Sequence, residues 1–372
     1  MTRSAYVPTT PEALADLQQR LARFRPVPEP RLFNRSRESL GFGGERLAEL
    51  VEHWRTGFDW PAQEAWLSAL PWEQTELSTV PVRAVVSRAE AAYGSPSSPV
   101  VLLLHGWPDS ILRFQRLFPL LTDLTYVAPA LPGYPFAAPV PAGGMSSVEM
   151  ADAVASAMSE FGFARYVVSA GDVGSDVAEA LAARHPDVVT ALHLTDVSQY
   201  HVNLAPPQDL DDAEREYAAR ARRWQGAEGG YAHEQSTRPV TLAAGLGDSP
   251  AGLAAWIGEK LVRWTDSDGT LTNAFSLDET LTWISAYWFT GSIGTSFAPY
   301  AAGRPTGWPR IETPTVFTLF PKDLVNAPRQ FAERYFNVAG WMEFESGGHF
   351  AAWERPSDYL EGVRAAVKLG FG

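Results

Sequence analysis

The chain has 372 residues and a formal net charge of -13, and it contains Cys 0. That length allows one large domain with insertions or two domains. The acid excess, with no basic run, excludes a nucleic-acid partner, and the missing cysteines exclude disulfides, thiolate catalysis and Cys-based metal sites.

At the N-terminus, Met1–Leu21 carries no apolar h-region, so no signal peptide is expected. No run of about 18 apolar residues follows anywhere, so a soluble, cytoplasmic protein without a membrane partner is expected. Thr10-Pro11-Glu12 opens a helix with a Thr N-cap and a Pro at the first helical position, and Leu14, Leu17, Leu21 and Phe24 recur at helical spacing. Pro26, Pro28 and Pro30 end it. A second helix is expected over Gly44–Thr56, then Phe58-Asp59-Trp60-Pro61 and a short helix through Trp66 and Leu70. Residues 1–74 therefore read as a helical, Trp-rich extension without a catalytic cluster. Its role is packing and bracing, and it is also a candidate homodimer interface.

Strands begin near Thr75, and Glu76–Ser87 alternates weakly. A Gly/Ser/Pro loop spans Ala89–Pro99. Val100–Leu104 is a continuous apolar run, the mark of a buried parallel strand; it ends in His105-Gly106-Trp107-Pro108. A helix over Ile111–Leu121, a strand at Thr125–Ala128 and a helix over Ser147–Phe161 follow. Tyr166-Val167-Val168 then runs into Ala170-Gly171-Asp172-Val173-Gly174 and a helical pattern. This is strand, sharp turn and helix, with small residues where the turn is tight. Val188–Leu194 is the next strand, ending at Thr195-Asp196. Alternating strands and helices imply a mostly parallel sheet with helices on both faces. After Gln199 the pattern turns helical and aromatic as far as Tyr300, a lid over 199–308 inserted into a core of 75–198 and 309–372. Strands at Pro314–Leu319 and Gly340–Phe344 and helices over Ala327–Tyr335 and Pro356–Lys368 complete the core.

Ligands of open α/β sheets bind at the carboxyl ends of the strands. Asp172, Asp323 and His349 all fall at such ends, in the order nucleophile, acid, base. An Asp at the tip of the turn attacks carbon directly and forms an ester, with no proton to remove first. Asp196 also ends a strand and competes with Asp323 for the role of acid. Backbone N–H groups after His105-Gly106, at Trp107, and at Val173 are candidates for an oxyanion hole. His105 reads as structural, its ring bonded to backbone, Glu345 as surface, and Asp109 as an N-cap for the helix that follows it.

His105-Gly106-Trp107-Pro108, the turn around Asp172, Gly347-Gly348-His349-Phe350-Ala351-Ala352 and the N-terminal segment with Phe58-Asp59-Trp60 together resemble the epoxide hydrolases, in the microsomal branch with an N-terminal extension. The resemblance implies an α/β-hydrolase fold with a helical lid. It implies that Tyr231 and Tyr300 in that lid donate to the epoxide oxygen, with Tyr287 a weaker substitute for Tyr300. It further implies an alkyl-enzyme ester on Asp172, hydrolysis by His349 oriented by Asp323, a vicinal diol as product, and no metal or organic cofactor. Three residues depart from the family pattern. Val173 stands where the family usually has Trp, Asp109 where it has Gly, and Thr195-Asp196 where it has Asn and an apolar residue. Trp107 and Asp196 are therefore expected to line an altered pocket for a bulky, apolar small molecule. The Arg-rich, Ala-rich composition fits a GC-rich bacterial gene, and with it a polycyclic or polyketide-type substrate in secondary metabolism. The altered pocket leaves open a repurposed enzyme that performs cyclisation, isomerisation or carbon–carbon bond formation. A dehalogenase and a non-catalytic binder with a relic triad are further alternatives.

Overall fold

The computed structural model describes residues 5–30, 41–89, 98–140, 143–204, 206–270, 272–303 and 309–372. Residues 90–97 of the expected loop and 304–308 of the expected lid lie outside the described residues. The sheet contains β1 (Trp72–Gln74), β2 (Arg83–Ser87), β3 (Val100–Leu104), β4 (Thr125–Ala130), β5 (Tyr166–Ala170), β6 (Val189–Leu194), β7 (Ile311–Leu319) and β8 (Phe336–Glu343). Its order is β1-β2-β4-β3-β5-β6-β7-β8. β1 and β2 pair antiparallel with their neighbours, and every pair from β4 to β8 is parallel. β3, β4 and β5 are buried at every residue, which explains why they read as unbroken apolar runs rather than alternating ones. The fold is an α/β-hydrolase.

The helices that position the site are α4 (Ser147–Glu160), α5 (Val173–Arg184), α14 (Ala351–Glu354) and α15 (Pro356–Phe371). α4 starts on a capping box, Ser146 with Glu149, which satisfies two of the donors a helix start leaves open. α15 lies on the sheet face that carries Ser169, His193 and Thr318. Ser169 Oγ bridges His193 Nδ1 and Tyr359 Oη, each at 2.8 Å, and His193 Nε2 meets Thr318 Oγ1 at 2.8 Å. Burial pushes His193 down to about 3, so it stays neutral and serves packing.

Among the described residues, seven α-helices lie between β6 and β7: α6 (Tyr200–Asn203), α7 (Asp212–Glu228), α8 (Gly230–Thr237), α9 (Pro239–Asp248), α10 (Pro250–Arg263), α11 (Leu277–Thr290) and α12 (Ala298–Ala302). The N-terminal helices α1 (Pro11–Leu21), α2 (Gly44–Thr56) and α3 (Trp60–Ala69) pack on α10 and α11 of this insertion. Trp60 meets Phe289 with ring centroids 4.9 Å apart, and Arg20 Nη1 reaches Asp248 Oδ1 at 2.8 Å. Trp54, Trp60 and Trp72 are buried inside the chain, and Trp66 is half-buried.

Some elements differ from expectation. Ile111–Leu121 is not one helix but two 3-10 turns, Ile111–Phe114 and Phe118–Leu120, interrupted at Pro119, which cannot continue a helical hydrogen-bond ladder. Asp109 is not the cap; Ser110 is, its Oγ accepting from Leu112 N at 3.2 Å. Around Tyr300 the chain forms the 3-10 turn Thr295–Phe297 followed by α12.

Candidate active site

Asp172 sits between β5 and α5 with φ 59° and ψ -135°, a left-handed backbone that a side chain rarely adopts. The neighbouring glycines make this turn feasible. A Cβ on Gly174 would stand 2.5 Å from Leu104 O, and one on Gly171 would stand 2.5 Å from Thr195 Oγ1. On the facing loop, a Cβ on Gly106 would come within 2.3 Å of Asp172 Oδ1. The small residues are thus set by how closely three loops converge on one carboxylate.

That carboxylate is held at both ends. Oδ1 accepts the N–H groups of Trp107 and Val173, each at 2.7 Å. Oδ2 lies 3.1 Å from His349 Nε2. His349 follows β8, and its Nδ1 lies 2.7 Å from Asp323 Oδ1, which also accepts Leu324 N–H at 2.7 Å. Asp323 follows β7, so the ends of β5, β7 and β8 supply the set. Burial alone would discharge His349, but Asp323 and Asp172 outweigh it and lift its pKa from 6.5 to about 10. Asp323 is held below its ordinary value against the pull of burial, chiefly by the imidazolium and by Leu324 N–H.

Tyr231, in the first turn of α8, and Tyr300, on α12, cover this set from the insertion. The Tyr231 ring stacks on Trp107 at 5.2 Å and 7°, and Tyr300 meets it edge-on at 6.0 Å. Burial, and next the Asp172 charge for Tyr231 and the Tyr231 phenol for Tyr300, push both phenols well above their usual range, so both hold their protons. Tyr287 is elsewhere: it donates to Asp109 O at 3.0 Å and packs in the core. The Trp107 ring is fully buried behind Tyr231, so its contribution at the cavity is its backbone N–H.

A cavity of about 550 Å³ opens onto Asp172, His349 and both tyrosines. Val173 forms part of its wall. Asp196 lines it as well and does not serve as the acid to His349. Its Oδ1 accepts Asp172 N–H at 3.0 Å and Ser175 Oγ–H at 2.7 Å. Burial first, then Asp323, raise its pKa to about 7. Gln199, Asn203 and Gln225 add amide groups to the wall. Among the described residues no group of His, Asp and Glu side chains is arranged to hold a metal ion, and no helix is long and apolar enough to cross a membrane.

Residues 3–114 match the family described as epoxide hydrolase N terminus, and residues 99–235 match the alpha/beta hydrolase fold. A putative epoxide hydrolase from Stigmatella aurantiaca is 35% identical over 370 residues, covering 96% of this chain and 82% of the relative. The chain belongs to the epoxide hydrolase family. Epoxide hydrolase 1 of Sus scrofa is 31% identical, covering 98% of this chain and 88% of its own. Among solved structures, Aspergillus niger epoxide hydrolase superposes with a TM-score of 0.87 at 30% identity, covering 98% of this chain and 96% of that one. The juvenile hormone epoxide hydrolase of Bombyx mori gives 0.83 at 26% identity, covering 98% and 92%.

Several residues of the enzyme that support the site escaped sequence reading. Arg113 is fully buried beneath it; Nη1 pairs with Asp109 and Nη2 donates to His349 O at 2.7 Å. Asp109 in turn accepts Gly106 N–H at 2.7 Å. This buried ion pair ties the loop bearing Gly106 and Trp107 to the loop bearing His349. The i,i+4 spacing of Asp109 and Arg113 was the available signal, and it was outweighed by the reading of Asp109 as a cap. His105 is structural as expected: Nε2 accepts Leu131 N–H at 3.1 Å. Trp264, at the end of α10, lies edge-on to both His349 and Tyr231 at 5.3 and 5.0 Å, and nothing in the sequence pointed to it.

Proposed function

We propose that the enzyme opens an epoxide by attack of Asp172 on carbon and then hydrolyses the resulting ester to a vicinal diol. One observation carries this. The carboxylate of Asp172 already occupies the pair of backbone N–H donors at Trp107 and Val173. In an acyl hydrolase such donors receive the substrate carbonyl. Here the carbonyl presented for cleavage is the protein's own, once Asp172 has been esterified.

The steps follow from the atoms. Oδ2 attacks a ring carbon and the carbon–oxygen bond of the oxirane breaks. The leaving alkoxide takes a proton from Tyr231 or Tyr300, both of which hold one. Esterification removes the negative charge of Asp172, so one of the two carboxylates that keep His349 protonated is gone. His349 then releases its proton more readily and acts as a base toward water. Water adds to the Asp172 carbonyl, and Trp107 and Val173 N–H stabilise the oxyanion. Collapse breaks the Cγ–Oδ2 bond, and His349 returns to Oδ2 the proton it took from water, so the diol leaves with Oδ2 and the oxygen of water stays in the carboxylate; the proton His349 gave up beforehand restores the phenol.

Tracing oxygen tests this sequence. A single turnover in H₂¹⁸O, with enzyme in excess, is expected to label the peptide containing Asp172 and to leave the diol unlabelled. Label in the diol on the first turnover defeats the ester route, and a product that takes no label after many turnovers favours the non-hydrolytic reading. The cavity volume lies within the range of sites for drug-sized molecules. This supports a bulky substrate, and a wall that is more apolar than polar but includes Gln199, Asn203, Gln225 and Asp196 supports a largely apolar molecule that carries some polar groups.

A further inference from the structure

Asp196 is a charge the fold does not require. It follows β6 and lines the cavity, to which it is partly open. Its Oδ1 satisfies Asp172 N–H and Ser175 Oγ–H. Both donors are neutral, and the amide oxygen of Asn would satisfy them without a charge. Two further carboxylates, Asp323 and Asp172, stand near enough to repel it. A carboxylate at this position costs folding free energy that the two bonds to Oδ1 do not explain. Its other oxygen, Oδ2, has no hydrogen-bond partner among the described residues. The remaining candidate for that oxygen is whatever fills the cavity.

We propose that Asp196 is a specificity determinant that accepts a hydrogen bond from a donor on the substrate, a hydroxyl or ammonium group carried next to the oxirane ring. The proximity argument is geometric. Asp196 Oδ1 accepts the backbone N–H of the nucleophile residue at 3.0 Å and both residues line the same cavity, so a donor that meets Oδ2 belongs to the part of the substrate on the nucleophile's side of that cavity. An epoxide without that donor leaves the acceptor to solvent alone, and the loss of that bond is what discriminates between substrates. The substrate class is then a 2,3-epoxy alcohol or 2,3-epoxy amine. This inference rests on the epoxide hydrolase reading given above.

The test uses matched substrates on the full-length enzyme: trans-3-phenylglycidol, 3-phenylglycidylamine and the donor-free trans-β-methylstyrene oxide. The wild type is expected to favour a donor-bearing epoxide by about 10- to 100-fold in kcat/KM. A larger preference for the amine identifies ammonium as the donor; a larger preference for the alcohol identifies hydroxyl. In Asp196→Asn the preference for the amine is expected to vanish and that for the alcohol to shrink, because the amide oxygen still accepts. A wild type that handles all three alike overturns the inference without any variant. So does an unchanged ratio in Asp196→Asn, which would leave Asp196 as support for the Asp172 backbone alone. If the wild type turns over none of the epoxides, the epoxide hydrolase reading itself falls, and the inference with it. Turnover without preference removes the inference only.

Discussion

Replacing Asp172 with Asn isolates the electrostatics on which the proposed sequence of steps depends. His349 is pinned between Asp172 at 3.1 Å and Asp323 at 2.7 Å, and its pKa stands at about 10. The side chain of Asn keeps the shape of Asp172 but removes its charge. Two unit charges about 4 Å apart at an effective dielectric of about 20 interact by roughly 4 kcal/mol. At 1.36 kcal/mol for each pH unit, that corresponds to about three units. With Asp323 still in place, His349 in Asp172→Asn should titrate two to three pH units below the wild type, roughly at neutrality. Nitrogen-15 NMR of the imidazole rings reports this directly, with the His349 signals assigned by their loss in His349→Gln. A His349 that titrates within half a unit of the wild type in the variant refutes the reasoning. A wild-type His349 that titrates near its ordinary 6.5 refutes it equally.

The same shift has a thermodynamic sign. A histidine whose pKa is raised on folding contributes stability that is complete below about 6.5 and lost as the pH rises through about 10. The melting temperature of the wild type should therefore fall across that window. Asp172→Asn should flatten the fall, because the folded and unfolded values then nearly coincide. An equal slope in both proteins contradicts the coupling.

Asp323→Asn should slow hydrolysis of the ester by about 10²- to 10⁴-fold while ester formation suffers less, so the Asp172 adduct accumulates and is seen by rapid-quench mass spectrometry. Equal slowing of both steps argues against Asp323 as the partner of the base. Tyr231→Phe with Tyr300→Phe should slow ring opening by about 10²- to 10⁴-fold in single-turnover measurements, with each single change costing less because either phenol can donate. A double variant that alkylates at the wild-type rate removes both tyrosines from the mechanism. Asp196 gives the same sign of pH slope as His349, in a lower window. Its pKa is raised from 3.8 to about 7, so it binds its proton more tightly when folded and subtracts stability progressively as the pH rises through that window. Asp196→Asn should thus gain melting temperature at pH 8 relative to pH 4, by at most about 4 kcal/mol of stability and by less where solvent in the cavity screens the charge. A loss of stability at pH 8 would show that its ionised form is structurally required.

The residues that bear the proposed chemistry were legible because each ends a strand of a parallel sheet. Strand ends announce themselves as apolar runs stopping at Gly, Asp or His, as at Leu104-His105-Gly106 and Ala170-Gly171-Asp172. Once the parallel order was read, topology brought Asp172, Asp323 and His349 to one edge; the Phe320-Pro321-Lys322-Asp323 context favoured Asp323 over Asp196, and it is Asp323 that lies 2.7 Å from His349 Nδ1. The lid was less legible. Tyr231 and Tyr300 came from resemblance, since helical periodicity distinguishes a buried face from an exposed one but not a catalytic phenol from a core one. Tyr287 shows the difficulty: it is more buried than either of the other two and sits on an apolar helix, yet its hydroxyl goes to Asp109 O. The packing beneath the site was the least legible. Trp264 touches both the base and a lid tyrosine from the end of α10, 85 residues before His349 in the chain, a contact that neither local pattern nor topology encodes.

The charge arrangement also bears on why the ester route is the one this geometry favours. A base that drives water straight onto the epoxide must be neutral at the start, and His349 lies between two carboxylates that load it with a proton. Removing that charge first would mean breaking the very contacts that orient the ring. Attack by Asp172 has no such requirement. Its Oδ1 is fixed by two N–H groups, its Oδ2 needs no deprotonation, and the phenols that receive the alkoxide hold protons to give. The protonated His349 is then an asset in the first step, because it orients Oδ2. It becomes a base only after the chemistry has removed one of its two counter-charges. On the proposed route the order of events follows from which groups are charged at rest: the esterified form, rather than the free enzyme, would present water with a competent base.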